Sequence, residues 1–282
     1  MSDFYVSKGK NTEGVFLTGH PFLSFKLTTL KPLKSFKPII KITCLIDTYI
    51  CASSPNTILF MKVKIADLRQ DYLLASLDVT DVNQNPFVQF EKWFSEALKS
   101  EILEPNAMTL ATVSKDGKPS ARVVLLKGVE YPHADLEAEG FVFYSNYKSK
   151  KGEDMAANPH AALCFNWLDL QRQIRIEGVV SKVSEAVSTA YFDSRPKSSR
   201  IGAWSSPQSQ IVPNRAFLEK KYLELTESYA HTEGVPRPVH WGGYIVKPTM
   251  IEFWQGRSSR LHDRIVYTKS EGGAWNIERL AP

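Results

Sequence analysis

The stretch AMTLATVSKDGKPSARVVLLK, residues 107–127, gives the clearest indication of the fold. Two apolar runs with β-like alternation flank the segment KDGK at 115–118, and an Asp-Gly pair between such runs is typical of a hairpin turn. We therefore predict a β-hairpin here. In its second strand, alternation places Arg122 and Lys127 on opposite faces.

Outside this hairpin, short strand patterns outnumber helical ones. Strands are predicted at 141–145, 161–167, 173–180, 241–246, 250–255, 264–268 and 274–278, and helices near 86–98, 149–157, 185–193 and 214–230. A short helix is also expected from Met61. Because strands and helices do not alternate one for one, the pattern favours an antiparallel barrel with peripheral helices over a doubly wound sheet. The predicted fold class is therefore mainly β.

Two of the predicted helices carry an apolar stripe. In the first, helical spacing predicts a buried face made of Phe87, Phe90, Phe94 and Leu98. In the helix at 214–230, the predicted buried stripe consists of Phe217, Tyr222, Leu225 and Tyr229.

The formal net charge of +5 is concentrated near the N-terminus. Residues 1–60 contain seven Lys, no Arg and three acidic residues, and they show no sustained helix or strand period. We interpret them as an N-terminal extension that the domain at 61–282 does not need. That domain carries a net charge of only +1, which argues against nucleic-acid binding because a polyanion requires an extended basic surface.

Several other classes of protein are disfavoured by what the sequence lacks. Cys44, Cys51 and Cys164 have no CxxC spacing, so neither a disulfide framework nor a metal site is expected. The apolar run at 39–51 contains two charged residues and is shorter than the roughly 20 residues of a membrane-spanning helix. No targeting segment is recognised, so a cytoplasmic location is expected. Dinucleotide-binding, phosphate-loop, HExxH and nucleophile-elbow motifs are absent, so any cofactor is held in another way.

Three short clusters combine cationic side chains with hydroxyl, amide or aromatic groups, a set suited to a phosphate monoester. They are SARVVLLK at 120–127, YFDSRPKSS at 191–199 and EFWQGRSSRLHDR at 252–264. In the second cluster Tyr191, Arg195 and Ser199 recur at four-residue steps. They would share one helix face if the helix accommodates Pro196.

The third cluster combines an aromatic plane, cations and a side chain that titrates near neutrality, in Trp254, Arg260, His262 and Arg264. If the segment is extended, Arg260 and His262 point to the same side and Leu261 to the other. Taken singly, Trp254 would be a core residue and His262 a structural histidine. Their appearance together, beside the other clusters, favours a binding site.

These clusters occur in a fixed order with further motifs, namely NAMTLATV (106–113), FYSNYKSKKG (143–152), NWLDLQRQIRIEG (166–178), IGAW (201–204), WGGY (241–244) and WNIERLAP (275–282). Together they resemble the pyridoxamine 5′-phosphate oxidase family, closest to its bacterial members, over about four-fifths of the chain. The resemblance implies a homodimeric split β-barrel with FMN bound noncovalently at the subunit interface. The implied reaction oxidises the 4′ carbon of pyridoxine or pyridoxamine 5′-phosphate, giving pyridoxal 5′-phosphate, H₂O₂ from O₂ and, from the amine, ammonia.

The resemblance also implies roles for individual residues. FMN would contact Arg122, Val123, Val124, Leu125, Tyr144, Ser145, Lys150, Lys151, Gln173, Gln208, Ser209, Trp254 and Arg264. The substrate phosphate would be bound by Lys127, Tyr191, Arg195 and Ser199. Arg260 and His262 would face the pyridine ring as the catalytic pair. The chain departs from the family pattern at Lys150, where Arg is common, at Pro207, and in residues 1–60, which have no counterpart.

Two other functions remain open at this point. A noncatalytic split barrel could carry or sense FMN or pyridoxal phosphate, but such a protein would not need Arg260 and His262. A nucleic-acid-binding protein with a basic N-terminal arm would show salt-dependent association that requires residues 1–60.

Overall fold

The computed structural model describes residues 6–9, 12–15, 68, 70–130, 139–232 and 234–282. The chain divides into two compact units, Met1–Val63 and Lys64–Pro282. In the first unit, β1 (Val6–Gly9) and β2 (Thr12–Val15) form an antiparallel hairpin. The sequence pattern does not predict it, because four-residue strands are too short for sustained alternation. The helix expected from Met61 lies outside the described residues.

One antiparallel sheet dominates the second unit. Its strands are β3 (Ala107–Val113), β4 (Pro119–Leu125), β5 (Gly128–Glu130), β6 (Gly140–Asn146), β7 (His160–Trp167), β8 (Arg172–Lys182), β9 (Trp241–Gln255), β10 (Asp263–Lys269) and β11 (Trp275–Arg279). The strand order is β11-β10-β9-β8-β7-β3-β4, and β6 pairs with both β5 and β9. The predicted hairpin is β3–β4, with Met108 opposite Val124. The mainly β, antiparallel fold class is confirmed.

Helices lie beside this sheet. They are α1 (Pro86–Lys99), α2 (Lys150–Ala157), α3 (Glu185–Ser194), α4 (Lys197–Ser205) and α5 (Arg215–Ser228). Helices α2 and α3 confirm the predictions at 149–157 and 185–193. Each of the two begins after a serine, Ser149 or Ser184, whose side chain accepts a backbone N–H of the first turn.

Strand β9 is continuous where two strands were predicted, at 241–246 and 250–255. Pro248, which lies between the two predicted segments, cannot donate a ladder hydrogen bond. The structure accommodates Pro248 with a bulge in β9 itself: Glu177 pairs with Met250 and the next β8 residue, Gly178, pairs with Pro248, so Thr249 is an extra residue of β9. Gly178 lies so close to β9 that a Cβ atom there would be 2.2 Å from the carbonyl oxygen of Lys247. A glycine and a bulge together therefore keep the long strand unbroken.

Helix α1 supplies much of the core. Phe87, Phe90, Trp93 and Ala97 are buried on it, whereas Phe94 is half-buried and Leu98 is exposed. The predicted stripe is therefore correct in its first turns and wrong at Leu98. The buried face follows the three-residue step from Phe90 to Trp93, so it turns away from Leu98 before the helix ends.

The predicted buried stripe of α5 is wrong. No residue of this helix is buried, and Phe217 is 42% exposed. The helix packs against α4 at the margin of the unit instead of covering the sheet. Its aromatic residues mark a partly covered surface, which apolar spacing alone cannot distinguish from a core-facing stripe.

In the part of the chain that the structure describes, no helix is long and apolar enough to cross a bilayer. The same residues contain no group of three or more His, Cys, Asp or Glu side chains that could hold a metal ion.

Replacing Phe90 by Ala tests the α1 packing. Phe90 is 1% exposed and its ring lies 5.0 Å from that of Phe141 and 5.2 Å from that of Phe165. We expect the free energy of unfolding to fall by about 3–5 kcal/mol, because a large cavity replaces the ring. Urea denaturation at fixed protein concentration measures this change. Val88→Ala, on the exposed side of α1, is the control and should change stability by less than about 1 kcal/mol.

Candidate functional site

A cavity of about 730 Å³ lies among strands β4 and β6, helices α3 and α4 and the start of β9. Eleven of the nineteen predicted site residues line it: Val123, Val124, Leu125, Lys127, Tyr144, Ser145, Lys151, Tyr191, Arg195, Ser199 and Gln208. These residues come from four segments that are far apart in the sequence. The fold therefore brings most of the first two clusters and the FYSNYKSKKG motif to one place.

The second cluster reaches the cavity from two short helices. Helix α3 ends at Ser194, Arg195 is its C-cap, and α4 begins after Pro196. The helix is therefore not continuous through Pro196, because a proline in a helix interior removes a hydrogen bond and clashes with the preceding turn. Tyr191, Arg195 and Ser199 still line the same cavity.

The guanidinium of Arg195 is held against an aromatic ring and lacks an acceptor. Its Cζ atom lies 4.6 Å from the ring centroid of Trp241, and its Nη1 atom is buried without a hydrogen-bond partner among the described residues. Burial lowers the pKa of Arg195. Because a buried donor without an acceptor is costly, an oxyanion in the cavity would stabilise this arrangement.

Stacked aromatic rings form one wall of the cavity. The rings of Tyr144 and Tyr191 lie 3.8 Å apart and nearly parallel, and Trp241 stacks 5.5 Å from Tyr144. Gly243 is the β9 partner of Tyr144, and a Cβ atom there would lie 2.9 Å from the Tyr144 ring. Trp241 was not predicted as a site residue. Its position in the WGGY motif, beside glycines that admit an aromatic ring, is the signal that could have identified it.

Another cation of the cavity lining, Lys151, lies close to Arg122. Lys151 donates to Gln208 Oε1 and to Ser149 Oγ, each at 2.9 Å. Burial, together with the positive charge of Arg122, lowers the pKa of Lys151 to about 8. Two neighbouring cations of this kind favour binding of an anion, since an anion relieves their repulsion.

Three residues predicted to contact FMN lie close in sequence to the cavity residues but do not line the cavity. Arg122 lies behind Lys151 and donates to Thr112 Oγ1 at 2.7 Å. Lys150 bonds the carboxylate of Asp154 at 2.9 and 3.2 Å. Ser209 is exposed and has a positive φ of 71°.

The remaining predicted residues form a separate group on β8, β9 and β10. Gln173 pairs with Trp254, and Trp254 pairs with Arg264, so the three lie in one row across the strands. Arg260 and His262 belong to the adjoining loop. None of these five residues lines the cavity.

The loop that carries Arg260 and His262 is not extended. Ser258–Arg260 form a single 3₁₀ turn, with φ values of 54° at Ser259 and 61° at Arg260. The condition under which alternation would place Arg260 and His262 on the same side, an extended segment, is therefore not met. Positive φ is rare outside glycine, and the sequence GRSSRLHD does not indicate positive φ at Ser259 or Arg260.

The imidazole of His262 is fixed by neighbours on two sides. Its Nδ1 accepts the backbone N–H of Arg257 at 3.1 Å, and its ring lies 4.6 Å from that of Trp254. Tyr72, which was not predicted, packs 5.8 Å from the His262 ring. Burial and the charge of Arg260 lower the pKa of His262, although Asp263 opposes this. The ring is therefore neutral at neutral pH.

A buried carboxylate pairs with arginines of the group on β8, β9 and β10. Glu252 is 2% exposed and accepts from Arg264 Nε at 2.6 Å and from Arg175 Nη1 at 2.8 Å. Arg264 was predicted as a ligand contact, but its guanidinium also donates to the Ala281 carbonyl. Glu252 lies within the third cluster, yet a carboxylate among so many cations was not singled out.

Comparison with known proteins agrees with the motif order. The family described as "Pyridoxamine 5′-phosphate oxidase" matches residues 94–229, and the "Pyridoxine 5′-phosphate oxidase C-terminal dimerisation region" matches 241–282. The "Pyridoxine/pyridoxamine 5′-phosphate oxidase 1" of Ralstonia nicotianae is 56% identical over 218 residues, 77% of this chain and 99% of that protein. This chain belongs to the pyridoxamine 5′-phosphate oxidase family. A similarly named relative from Nostoc punctiforme is 54% identical and covers 79% of this chain and 100% of its own length.

Two solved structures have the same fold as this chain. PhzG from Burkholderia lata, in complex with tetrahydrophenazine-1-carboxylic acid, is 27% identical with a TM-score of 0.66 over 74% of this chain and all of its own. A pyridoxamine 5′-phosphate oxidase-related, FMN-binding protein from Nostoc punctiforme is 17% identical with a TM-score of 0.54, covering 68% of this chain and 97% of its own. The loop with Arg260 and His262 lies within the region that matches the dimerisation family.

Replacing Glu252 by Gln tests the ion-pair group. The change leaves Arg175 and Arg264 without their shared carboxylate, and removing one partner of a buried pair costs about 3–5 kcal/mol. Both arginines are partly exposed, at 40% and 25%, so we expect the lower end of this range. The control is Glu177→Gln, which breaks an exposed pair with the same Arg175 and should cost at most about 1 kcal/mol. Equal losses of unfolding free energy in the two variants would contradict this interpretation.

Proposed function

We propose that this chain oxidises pyridoxine 5′-phosphate and pyridoxamine 5′-phosphate to pyridoxal 5′-phosphate with bound FMN. O₂ is the electron acceptor and H₂O₂ the by-product, with ammonia released from the amine. The observation that carries this proposal is one cavity that combines a stacked aromatic wall with the cations Lys127, Lys151 and Arg195. Membership of the oxidase family supports the choice of substrate and cofactor.

The residues present fit FMN. Lys151 lines the cavity and is repelled by the charge of Arg122 next to it, and a phosphate would neutralise both cations. Ser145 and Gln208 offer polar atoms beside them. We propose that these groups hold the cofactor phosphate, with the β4 residues Val123 to Leu125, which line the cavity, beside the cofactor.

The cavity residues around Arg195 suit the substrate phosphate. Arg195 has a buried donor atom to offer, and Lys127, Tyr191 and Ser199 lie around the same space. An arginine that is already fixed by stacking on Trp241 loses little conformational freedom when it binds a phosphate.

A second copy of the chain would complete the site. Gln173, Trp254, Arg260, His262 and Arg264 lie outside the cavity, although the family pattern assigns them to cofactor and substrate. We propose a homodimer in which this group lies against the cavity of the partner subunit. The match of residues 241–282 to a dimerisation region supports this arrangement.

FMN, when bound, supplies the acceptor for a hydride from the 4′ carbon of the substrate. The chain's own residues hold the substrate phosphate and so orient the ring. His262 is neutral and its Nδ1 accepts a backbone N–H, so its proton lies on Nε2. From that atom it can donate a hydrogen bond to the 3-hydroxyl or the 4′ substituent, with Arg260 beside it.

We further propose that residues 1–60 are an extension outside the catalytic domain and that the enzyme is cytoplasmic. The matching relatives cover 99–100% of their own lengths with only 77–79% of this chain, which supports the first of these points.

The purified protein should be yellow and should release FMN on denaturation. Addition of pyridoxine 5′-phosphate under air should yield pyridoxal 5′-phosphate and H₂O₂ in equal amounts. Absorption spectroscopy and a coupled peroxide assay measure both. A flavin-loaded protein that forms neither product would indicate a carrier or sensor, and a protein that cannot be loaded with FMN would contradict the proposal altogether.

Arg195→Met and Arg260→Met should affect catalysis differently. A phosphate anchor binds ground state and transition state about equally, so Arg195→Met should weaken substrate affinity by about 1–3 kcal/mol with little effect on the rate of flavin reduction. Arg260→Met should lower that rate at saturating substrate while FMN stays bound. Stopped-flow measurement of flavin reduction separates the two effects. Wild-type reduction rates in Arg260→Met would remove this residue from the catalytic role.

A further inference from the structure

A buried carboxylate lies behind the cation group of the cavity. Asp154, on α2, is 4% exposed and accepts from Lys150 Nζ and from the hydroxyl of Thr112, the latter at 2.9 Å. Neither Thr112 nor Asp154 lines the cavity. Both are nevertheless connected to Arg122, which lies beside Lys151.

The direction of the hydrogen bonds in this chain of residues is fixed. Although burial opposes its ionisation, hydrogen bonds from Lys150 and Thr112 hold the pKa of Asp154 below its usual value. An ionised carboxylate only accepts, so the single hydroxyl proton of Thr112 goes to Asp154. The lone pairs of Thr112 Oγ1 are then free to accept from Arg122 Nη1, 2.7 Å away.

The same contacts determine what Arg122 can still bind. Its Nη1 also donates to the Leu110 carbonyl at 3.2 Å, and its Nη2 donates to Ser120 Oγ at 2.7 Å. A guanidinium has five N–H groups. Three are used by these partners, and Nη2 also lies 4.0 Å from Asp154 Oδ2 in an ion pair. Among the described contacts, Nε–H and the second Nη2–H donate no hydrogen bond and can bind a ligand.

We propose that Thr112 and Asp154 are positioning residues that fix the guanidinium of Arg122 for the phosphate of FMN. This inference rests on the proposed function. Asp154 fixes the hydroxyl of Thr112 by a hydrogen bond, and this hydroxyl in turn fixes Arg122. Asp154 also binds Lys150. The two residues act through Arg122 and do not touch the ligand.

Binding of FMN and of riboflavin to the apoprotein tests this role, because riboflavin lacks the phosphate. Flavin fluorescence titration measures both dissociation constants. Thr112→Val, which keeps the shape but removes the hydroxyl, should weaken FMN binding roughly 10-fold, as expected for one hydrogen bond to a charged group. Riboflavin binding should be unchanged, and Thr112→Ser should restore FMN binding. Asp154→Asn should also weaken FMN selectively.

The control is Glu153→Gln, an exposed carboxylate on the same helix, which should bind both flavins as the wild type does. If Thr112→Val loses FMN and riboflavin in equal proportion, or loses neither, the positioning role is wrong. If Asp154→Asn binds FMN more tightly, Asp154 only offsets charge and the role assigned to it is wrong. Should Thr112→Val not fold, the Asp154→Asn comparison decides. A wild-type protein that shows no preference for FMN would overturn the proposed function itself.

Discussion

The continuity of strand β9 is the constraint on which both groups of site residues depend. Its first half pairs with β6, its second half pairs with β10, and β8 runs beside most of its length. It therefore carries Trp241 at the cavity and Trp254 in the separate group of predicted residues on β8, β9 and β10. Thirteen residues at about 3.3 Å each separate these two by roughly 40 Å along the strand. One chain thus keeps the two groups apart, and the proposed site needs a second copy to unite them.

Local patterns in the sequence predicted those features that depend on near neighbours. The β3–β4 hairpin follows from alternation and an Asp-Gly turn, and the predicted helices α2 and α3 each begin after a serine that caps the first turn. The continuity of β9 could not be predicted, because it depends on a bulge at Thr249 and on the close approach of Gly178 from a different strand. The exposure of Phe217 has a similar cause, since what covers a helix is decided by the tertiary fold.

The candidate site shows the same division. Motif order identified eleven residues that the fold brings to one cavity, but it did not indicate how their charges are arranged. Two buried carboxylates, Asp154 and Glu252, lie behind the cations and were both missed. A sequence pattern records that acids and bases are near each other along the chain. Which of them pair, and which cation keeps a free donor, is decided by contacts between strands and helices.

The lysine at position 150 illustrates this point. An arginine would offer a planar fork, whereas Lys150 offers a point charge, and that charge bonds Asp154 at a spacing of four residues on α2. In the proposed site, contact with the cofactor phosphate is left to Arg122 and Lys151. Burial and the charge of Arg122 lower the pKa of Lys151 to about 8, so its ammonium gives up the proton more readily than an ordinary lysine does. A bound phosphate would raise the pKa of Lys151 again, so cofactor binding and protonation of Lys151 favour each other. The size of this coupling depends on the position of Arg122, because the charge of Arg122 also acts on Lys151.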